Sequence, residues 1–431
     1  MKALITPNTL NQPWFEQIKE RIGPALGQIS TVFWFSIVVY IARFSVTILV
    51  ARTWGPSYYG KVALVMSIGS LLYFLFAMGL PNAMYRQLPR SPERRHNQLI
   101  WTTLVANSIN ALCLASLLVA IYSWVAAPIS IPKESWYLGI LLALANNYGA
   151  ITEAFLRGKK LFHKIGVFKV VGTVATVGLT LFLLEQNLDH YPFLIYSFML
   201  GLFVSALVTV RHLKVEATGF SSRIAKAFYS YGFFLAFGQL LTALIFEGDI
   251  ILLNHFLSHE ELGKYAAYMG LVKQLFFVFF IEIFCVVFLP SIANADRAKA
   301  VSVIKRFRVV IFFGVALLAA MALVVVISLF GSQYELNWLN VLITAMGIGF
   351  FTLFQLFNNL LAMDSKRGAN RALICIAISL VGFLLIVPPL ASNQGLTGAI
   401  TGVALSYFVL YVVLECYTNI YFGSKPKGIT Q

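Results

Sequence analysis

Charged residues are scarce in this sequence, at 11% of 431 residues, and acidic ones are scarcer still, with 17 Asp and Glu against 32 Lys and Arg. Soluble domains carry about 25% charged residues, which excludes water as the main solvent of this chain. Hydrophobic residues reach 59%, and the mean hydropathy is +0.81. This composition is typical of a protein that lies mostly within a membrane.

Cysteine is also rare. The four cysteines, Cys113, Cys285, Cys375 and Cys416, lie inside apolar runs without the close spacing of a metal site. Neither a disulfide framework nor a zinc site is predicted, and no cofactor is expected. The first thirty residues lack the short apolar core and the cleavage site of a signal peptide, and we interpret them as a tail and an interfacial helix.

Apolar runs of about 20 residues recur along the whole chain, and each is long enough to cross about 30 Å of hydrocarbon as a helix. Membrane strands would alternate instead, and only a helix satisfies its backbone hydrogen bonds within one continuous run. The runs predict an all-α integral membrane protein with about twelve spanning helices. The predicted spans are 30–51, 62–86, 99–124, 136–157, 162–184, 191–211, 226–252, 264–290, 309–330, 337–362, 372–390 and 396–420.

The basic residues indicate the orientation of these spans. Of the 32 Lys and Arg residues, 26 fall on one side of the membrane, 4 fall on the other, and Arg43 and Lys273 lie within spans. Because positive residues concentrate on the cytoplasmic side, both termini are predicted to be cytoplasmic. Topology thereby accounts for the net charge of +15, and nucleic acid is not expected as a partner.

The sequence contains an internal repeat. A shift of 203 residues aligns Ile48–Val50 and Gly60-Lys61 with Ile251–Leu253 and Gly263-Lys264. The repeat indicates two six-helix lobes of the same orientation around a central cavity. The predicted domains are a cytoplasmic tail and interfacial helix (1–29), an N-terminal lobe (30–215), a C-terminal lobe (216–421) and a cytoplasmic tail (422–431).

Five segments resemble one family of membrane proteins. Ala51–Gly60 (ARTWGPSYYG) and Met78–Arg86 (MGLPNAMYR) are similar to the start of the O-antigen type of polysaccharide-biosynthesis flippases, in the superfamily of the multidrug and toxin extruders. Further similarity lies in Asp249–Asn254, Leu262–Ala267 and Gly395–Gly402.

The resemblance implies a transporter that carries an undecaprenyl-pyrophosphate-linked oligosaccharide from the inner to the outer leaflet of a bacterial cytoplasmic membrane. It also implies an H⁺ or Na⁺ gradient as the energy source, since no nucleotide site is apparent. Membrane lipids are expected as partners, and polysaccharide assembly proteins are further candidates.

Ionisable residues within spans are costly unless they face a cavity or a partner, so they are the candidate functional residues. Arg43 is predicted to contact pyrophosphate, because a guanidinium offers forked donors and stays charged; a structural pair with an acidic group is the alternative. Lys273 is either a second anion contact or a partner for Glu247. Glu247 and Asp249 point about 200° apart on a helix, so one of them is predicted to face the cavity and couple transport to an ion.

Amide side chains within spans, at Asn146, Asn147 and Gln239, are predicted to bind sugar hydroxyls, and hydrogen bonds between helices are the alternative. Glu153 and Glu415, near the cytoplasmic ends of their spans, are interpreted as structural. A multidrug or cation antiporter would favour acidic and aromatic cavity walls, whereas Arg43 and Lys273 favour an anionic lipid. A membrane polysaccharide polymerase is the alternative from another class, but it would carry a large outer loop, so an enzyme is not expected.

Overall fold

The computed structural model describes residues 14–270, 273, 274, 276, 297–364 and 366–423, and these residues form helices without any strand. The all-α membrane fold predicted from the apolar runs is confirmed. The helices are α1 (Trp14–Ala77), α2 (Leu80–Gln87), α3 (His96–Ala120), α4 (Tyr122–Val125), α5 (Lys133–Gly158), α6 (Phe162–Glu185), α7 (Pro192–His212), α8 (Ser222–Phe246), α9 (Gly248–Leu253), α10 (His259–Tyr265), α11 (Arg297–Phe330), α12 (Trp338–Asp364) and α13 (Lys366–Gly423).

Seven helices in this part of the chain are long and apolar enough to cross a membrane. Two of them, α1 with 64 residues and α13 with 58, are long enough for two crossings. Each bends at a glycine with a positive φ, Gly55 (φ 81°) in α1 and Gly395 (φ 57°) in α13. Residues with a Cβ rarely adopt these angles. Both bends lie between spans that the sequence predicts as separate, Gly55 between 30–51 and 62–86 and Gly395 between 372–390 and 396–420. Most of the predicted span 264–290 lies outside the described residues.

The long helices are joined by short connections, so successive helices run in alternating directions. We call the face that carries the connections near Arg90 and Lys160 the basic face, and the face that carries the bends at Gly55 and Gly395 the opposite face. Residues 30–215 are called the N-half and residues 216–421 the C-half. The division at residue 215 stays a prediction.

The two halves contact each other on the opposite face through glycines of α1 and α10. A methyl group on Gly60 would strike the backbone oxygen of His259, and one on Gly263 would strike the backbone oxygen of Pro56. Both pairs, Gly60 with Gly263 and Pro56 with His259, are separated by the repeat offset of 203 residues. This reciprocal contact is the pattern expected of two related halves around a two-fold axis.

A second contact between the halves lies towards the basic face. A methyl group on Gly79 would strike the backbone oxygen of Gly232, and one on Gly232 would lie 2.6 Å from the backbone oxygen of Met78. Nearby, the side-chain nitrogen of Asn82 donates a hydrogen bond to the side-chain oxygen of Gln239 at 3.3 Å. The halves are thus joined at both ends, and the space between them is a cavity.

Substituting the glycines of the first contact should open the cavity towards the opposite face. We expect Gly60→Ala or Gly263→Ala to destabilise this contact by about 1–3 kcal/mol, the usual cost of overpacking, because backbone atoms cannot move aside as a flexible side chain does. The measurement is the labelling rate of a cysteine at Gln355, in a variant without other cysteines, by a membrane-impermeant thiol reagent applied to the opposite face.

The matched control is Gly178→Ala, since no heavy atom lies within 4 Å of the methyl group that this change would add. Its labelling rate should equal that of the parent. Equal labelling in the Gly60 and control variants would contradict a seal at Gly60 and Gly263.

Candidate functional site

The cavity between the two contacts has a volume of about 880 Å³ and takes side chains from both halves. Aromatic rings form much of the apolar lining, among them those of Tyr40, Tyr73, Phe74, Phe246 and Phe351. Among the described residues, five with charged side chains line the cavity: Arg43, Glu153, Arg157, Lys169 and Glu247.

The basic residues are all in the N-half. Arg43 lies in the part of α1 that precedes the bend at Gly55. Its buried Nε has no hydrogen-bond partner among the described residues. Arg157, in the last turn of α5, forms an ion pair with Glu153 at 2.5 Å, and Lys169 of α6 binds the other oxygen of that carboxylate at 3.0 Å. One carboxylate is thus shared by two cations, and Arg43 adds a third positive charge to this wall.

The wall in the C-half is rich in amides. Gln239 of α8 lines it together with Gln355, Asn358 and Asn359 of α12. Gln355 lies three positions before Asn358 and four before Asn359, so the three residues share one face of that helix. Within the described part of the chain, the side chains of Gln355 and Asn358 make no hydrogen bond, so both can donate to and accept from a polar ligand.

Glu247 lines the C-half wall at a break between α8 and α9. The hydroxyl of Ser67 from the N-half donates a hydrogen bond to the backbone carbonyl of Glu247. In the described structure its carboxylate forms neither an ion pair nor a hydrogen bond. Of the two acidic residues that line the described cavity, Glu247 is therefore the one without an ion pair, whereas Glu153 is paired with two cations.

Asp249 belongs to a separate, buried cluster. Its side chain is 0% exposed, forms an ion pair with Lys273, and accepts a hydrogen bond from the hydroxyl of Tyr265. The Lys273 ammonium also donates to the backbone carbonyl of Phe246 at 2.8 Å and lies 5.1 Å and 5.8 Å from the ring centroids of Phe246 and Tyr407. The ammonium is thus surrounded by partners and does not line the cavity.

The predicted site residues separate into two groups. Arg43, Asn146, Gln239 and Glu247 line the cavity, whereas Asn147, Asp249 and Lys273 do not. Asn147 is buried and donates a hydrogen bond to Asn107 of α3 at 2.9 Å. A hydrogen bond between helices was the alternative to binding sugar hydroxyls. Lys273 pairs with Asp249 and not with Glu247, since two residues that are two positions apart on a helix point in nearly opposite directions.

Two cavity residues were missed from the sequence. From the sequence, both are basic residues of the cytoplasmic side and Arg157 is also a structural partner for Glu153, whereas in the structure both side chains reach the cavity. The spacing of Glu153 and Arg157, which are one helical turn apart, predicts their contact but not its position on a cavity wall. The structural interpretation of Glu415 fits its ion pair with Arg308 at 2.8 Å, away from the cavity.

Kinked apolar helices around a cavity with charged and amide walls define an integral membrane protein with a polar cavity between its helices. The chain belongs to the polysaccharide biosynthesis protein family, whose model matches residues 48–337. It is similar to the succinoglycan biosynthesis transport protein ExoT of Rhizobium meliloti, with 23% identity over 325 residues. That match covers 72% of this chain and 63% of the relative, so the chain spans less than two thirds of that protein's length.

Solved structures with a similar fold include the lipid II flippase MurJ in an inward closed conformation, with a TM-score of 0.71 and 12% identity over 92% of this chain and 88% of that one. A multidrug resistance MATE family transporter in an outward-facing conformation has a TM-score of 0.59 and 15% identity over 93% and 96%. These likenesses concern the fold. The family match confirms the resemblance to polysaccharide-biosynthesis proteins that the sequence shows, and the solved structures share its helical membrane fold.

Proposed function

We propose that this protein carries an undecaprenyl-pyrophosphate-linked oligosaccharide from the inner to the outer leaflet of a bacterial cytoplasmic membrane. Both termini and the basic face are then cytoplasmic, as the distribution of Lys and Arg favours. An H⁺ or Na⁺ gradient supplies the energy. The N-half and the C-half act as two lobes that open the cavity to one face at a time.

The observation that carries this proposal is the unequal chemistry of the two cavity walls. Arg43, Arg157 and Lys169 form a basic wall that suits the two phosphate groups of a pyrophosphate. Gln239, Gln355 and their neighbouring amides form an opposing wall that suits sugar hydroxyls. A molecule with an anion at one end and a sugar at the other matches both walls at once.

The test is reconstitution of the purified protein in liposomes with a labelled polyprenyl-pyrophosphate oligosaccharide. Movement of the label to the other leaflet is measured under imposed H⁺ and Na⁺ gradients and after each gradient is collapsed. Transport above that of protein-free liposomes supports the proposal. A label that stays on its original leaflet under every gradient would contradict it.

Within this proposal, Glu247 is the ion-coupling carboxylate, because it faces the cavity without an ion pair to any described residue, while Asp249 is neutralised by Lys273. We expect Glu247→Gln to abolish the acceleration by the gradient and to keep the slower downhill movement, since an amide cannot take up and release a proton. The ratio of rates with and without the gradient is the measurement. Glu415→Gln is the control, and a gradient response in both variants would assign coupling elsewhere.

A cation antiporter is the second candidate, because Glu247 and the aromatic lining also suit an organic cation. Efflux of a cationic dye from the same liposomes discriminates the two functions. Dye efflux without movement of the lipid-linked sugar would favour the antiporter. The three basic residues on the cavity wall oppose it, since they repel a cationic substrate.

A further inference from the structure

The end of the cavity nearest the basic face contains a compact ion-pair cluster. Glu153 and Arg157 come from adjacent turns of α5, and Lys169 comes from the facing helix α6. One oxygen of the Glu153 carboxylate accepts from Arg157 Nε at 2.9 Å and from a terminal guanidinium nitrogen at 2.5 Å, while the other oxygen binds Lys169 Nζ at 3.0 Å. Each carboxylate oxygen is therefore held by a different cation.

The cluster is accessible to a ligand. The side chains of Arg157, Lys169 and Glu153 are 38%, 30% and 20% exposed, and all three line the cavity. The guanidinium of Arg157 also lies 5.7 Å from the ring centroid of Tyr85, which helps to fix its position. Two cations on one carboxylate leave a net positive charge, so the cluster attracts a further anion.

We propose that Glu153 occupies the anion subsite formed by Arg157 and Lys169 whenever the pyrophosphate ligand is absent, and that it competes with the ligand for these two cations. The inference rests on the proposed function for the source of the pyrophosphate, although free inorganic pyrophosphate offers the same chemistry. A pyrophosphate carries more negative charge than a carboxylate and presents several acceptor oxygens, so it displaces the Glu153 side chain from the two cations.

The displaced carboxylate has a consequence for transport. It stays covalently attached beside the subsite and competes with the bound anion for the same two cations. This competition weakens binding of the pyrophosphate and speeds its release, because the Glu153 carboxylate pairs with Arg157 and Lys169 again as the anion leaves. Removing the charge of Glu153 should therefore tighten binding and slow turnover, whereas a residue that merely holds Arg157 and Lys169 in place would weaken binding when it is replaced.

The experiment measures equilibrium binding of farnesyl pyrophosphate and, separately, of inorganic pyrophosphate to the purified full-length protein. Partly exposed ion pairs contribute up to about 1 kcal/mol, so Glu153→Gln should lower the Kd by about fivefold. Arg157→Gln and Lys169→Gln should raise it. Glu153→Asp, which keeps the charge, should bind like the parent and guards against a folding defect.

The matched control is Glu415→Gln, which removes a carboxylate from an Arg pair outside the cavity. An unchanged or higher Kd in Glu153→Gln, with the melting temperature of the parent, would overturn the inference. Tighter binding of both probes would identify the pyrophosphate group as the ligand, and tighter binding of the farnesyl compound alone would require its lipid chain. Tighter binding together with no movement of the lipid-linked sugar in liposomes would overturn the proposed function and leave the subsite standing.

Discussion

Replacing Lys273 with methionine should lower the free energy of unfolding by about 3–5 kcal/mol, which is the largest effect on stability expected for a single substitution here. Asp249 is 0% exposed and depends on the Lys273 ammonium for its countercharge. Without that ammonium, Tyr265 remains as a donor, but a buried negative charge has no opposite charge beside it. Unfolding in detergent with an added denaturant, followed by circular dichroism, is the measurement.

The double variant Lys273→Met with Asp249→Asn tests this explanation. Replacing both members of a buried pair is often nearly neutral, since the cost of removing two charges from water disappears with them. We therefore expect the double variant to recover most of the stability that either single variant loses. Arg308→Met is the control, because its pair with Glu415 is half exposed on the Arg side and should contribute less than about 1 kcal/mol.

A double variant no more stable than the single ones would mean that the two charges do not stabilise each other. A double variant that recovers the stability of the parent can also be used to test ion coupling. If the double variant still responds to an ion gradient in liposomes, then Asp249 is not the coupling residue and Glu247 remains the candidate.

The membrane fold could be predicted from the sequence because lipid imposes one strong rule, which is that each apolar run must satisfy its own backbone hydrogen bonds. The apolar runs therefore predict both the helices and their approximate positions. The bends at Gly55 and Gly395 could not be predicted, since a glycine between two apolar runs is equally compatible with a loop. The contact of Gly60 with Gly263 was within reach, because both residues appear in the repeat alignment.

The site was predicted in part. Arg43 and Glu247 could be singled out because a charge inside a span is expensive wherever it lies. The helical period predicts that only one of Glu247 and Asp249 faces the cavity, but it does not show which one, because that depends on how the helix is rotated against its neighbours. Lys169 was missed because a basic residue near a helix end obeys the topology rule whether its side chain faces water or a cavity.

Arg43→Ala should slow movement of the lipid-linked sugar in liposomes by about 10- to 100-fold, because a hydrogen bond to a charged group contributes about 1.5–3 kcal/mol. Arg43 makes no ion pair among the residues that the structure describes, and its Nε is buried without a hydrogen-bond partner. A pyrophosphate would supply the missing acceptors. Arg43→Lys should retain part of the rate, since it keeps the charge but loses the forked donors.

A structural role for Arg43 would give a different pattern. If Arg43 mainly stabilised the fold, then alanine would lower the melting temperature and lysine would restore it, with transport following stability. Arg371→Ala is the control, since Arg371 stacks on Tyr417 and Tyr421 outside the cavity lining and its loss should leave transport unchanged. A slow Arg43→Ala variant with the stability of the parent would therefore mean that the guanidinium acts on the substrate, and undiminished transport would remove Arg43 from the binding site.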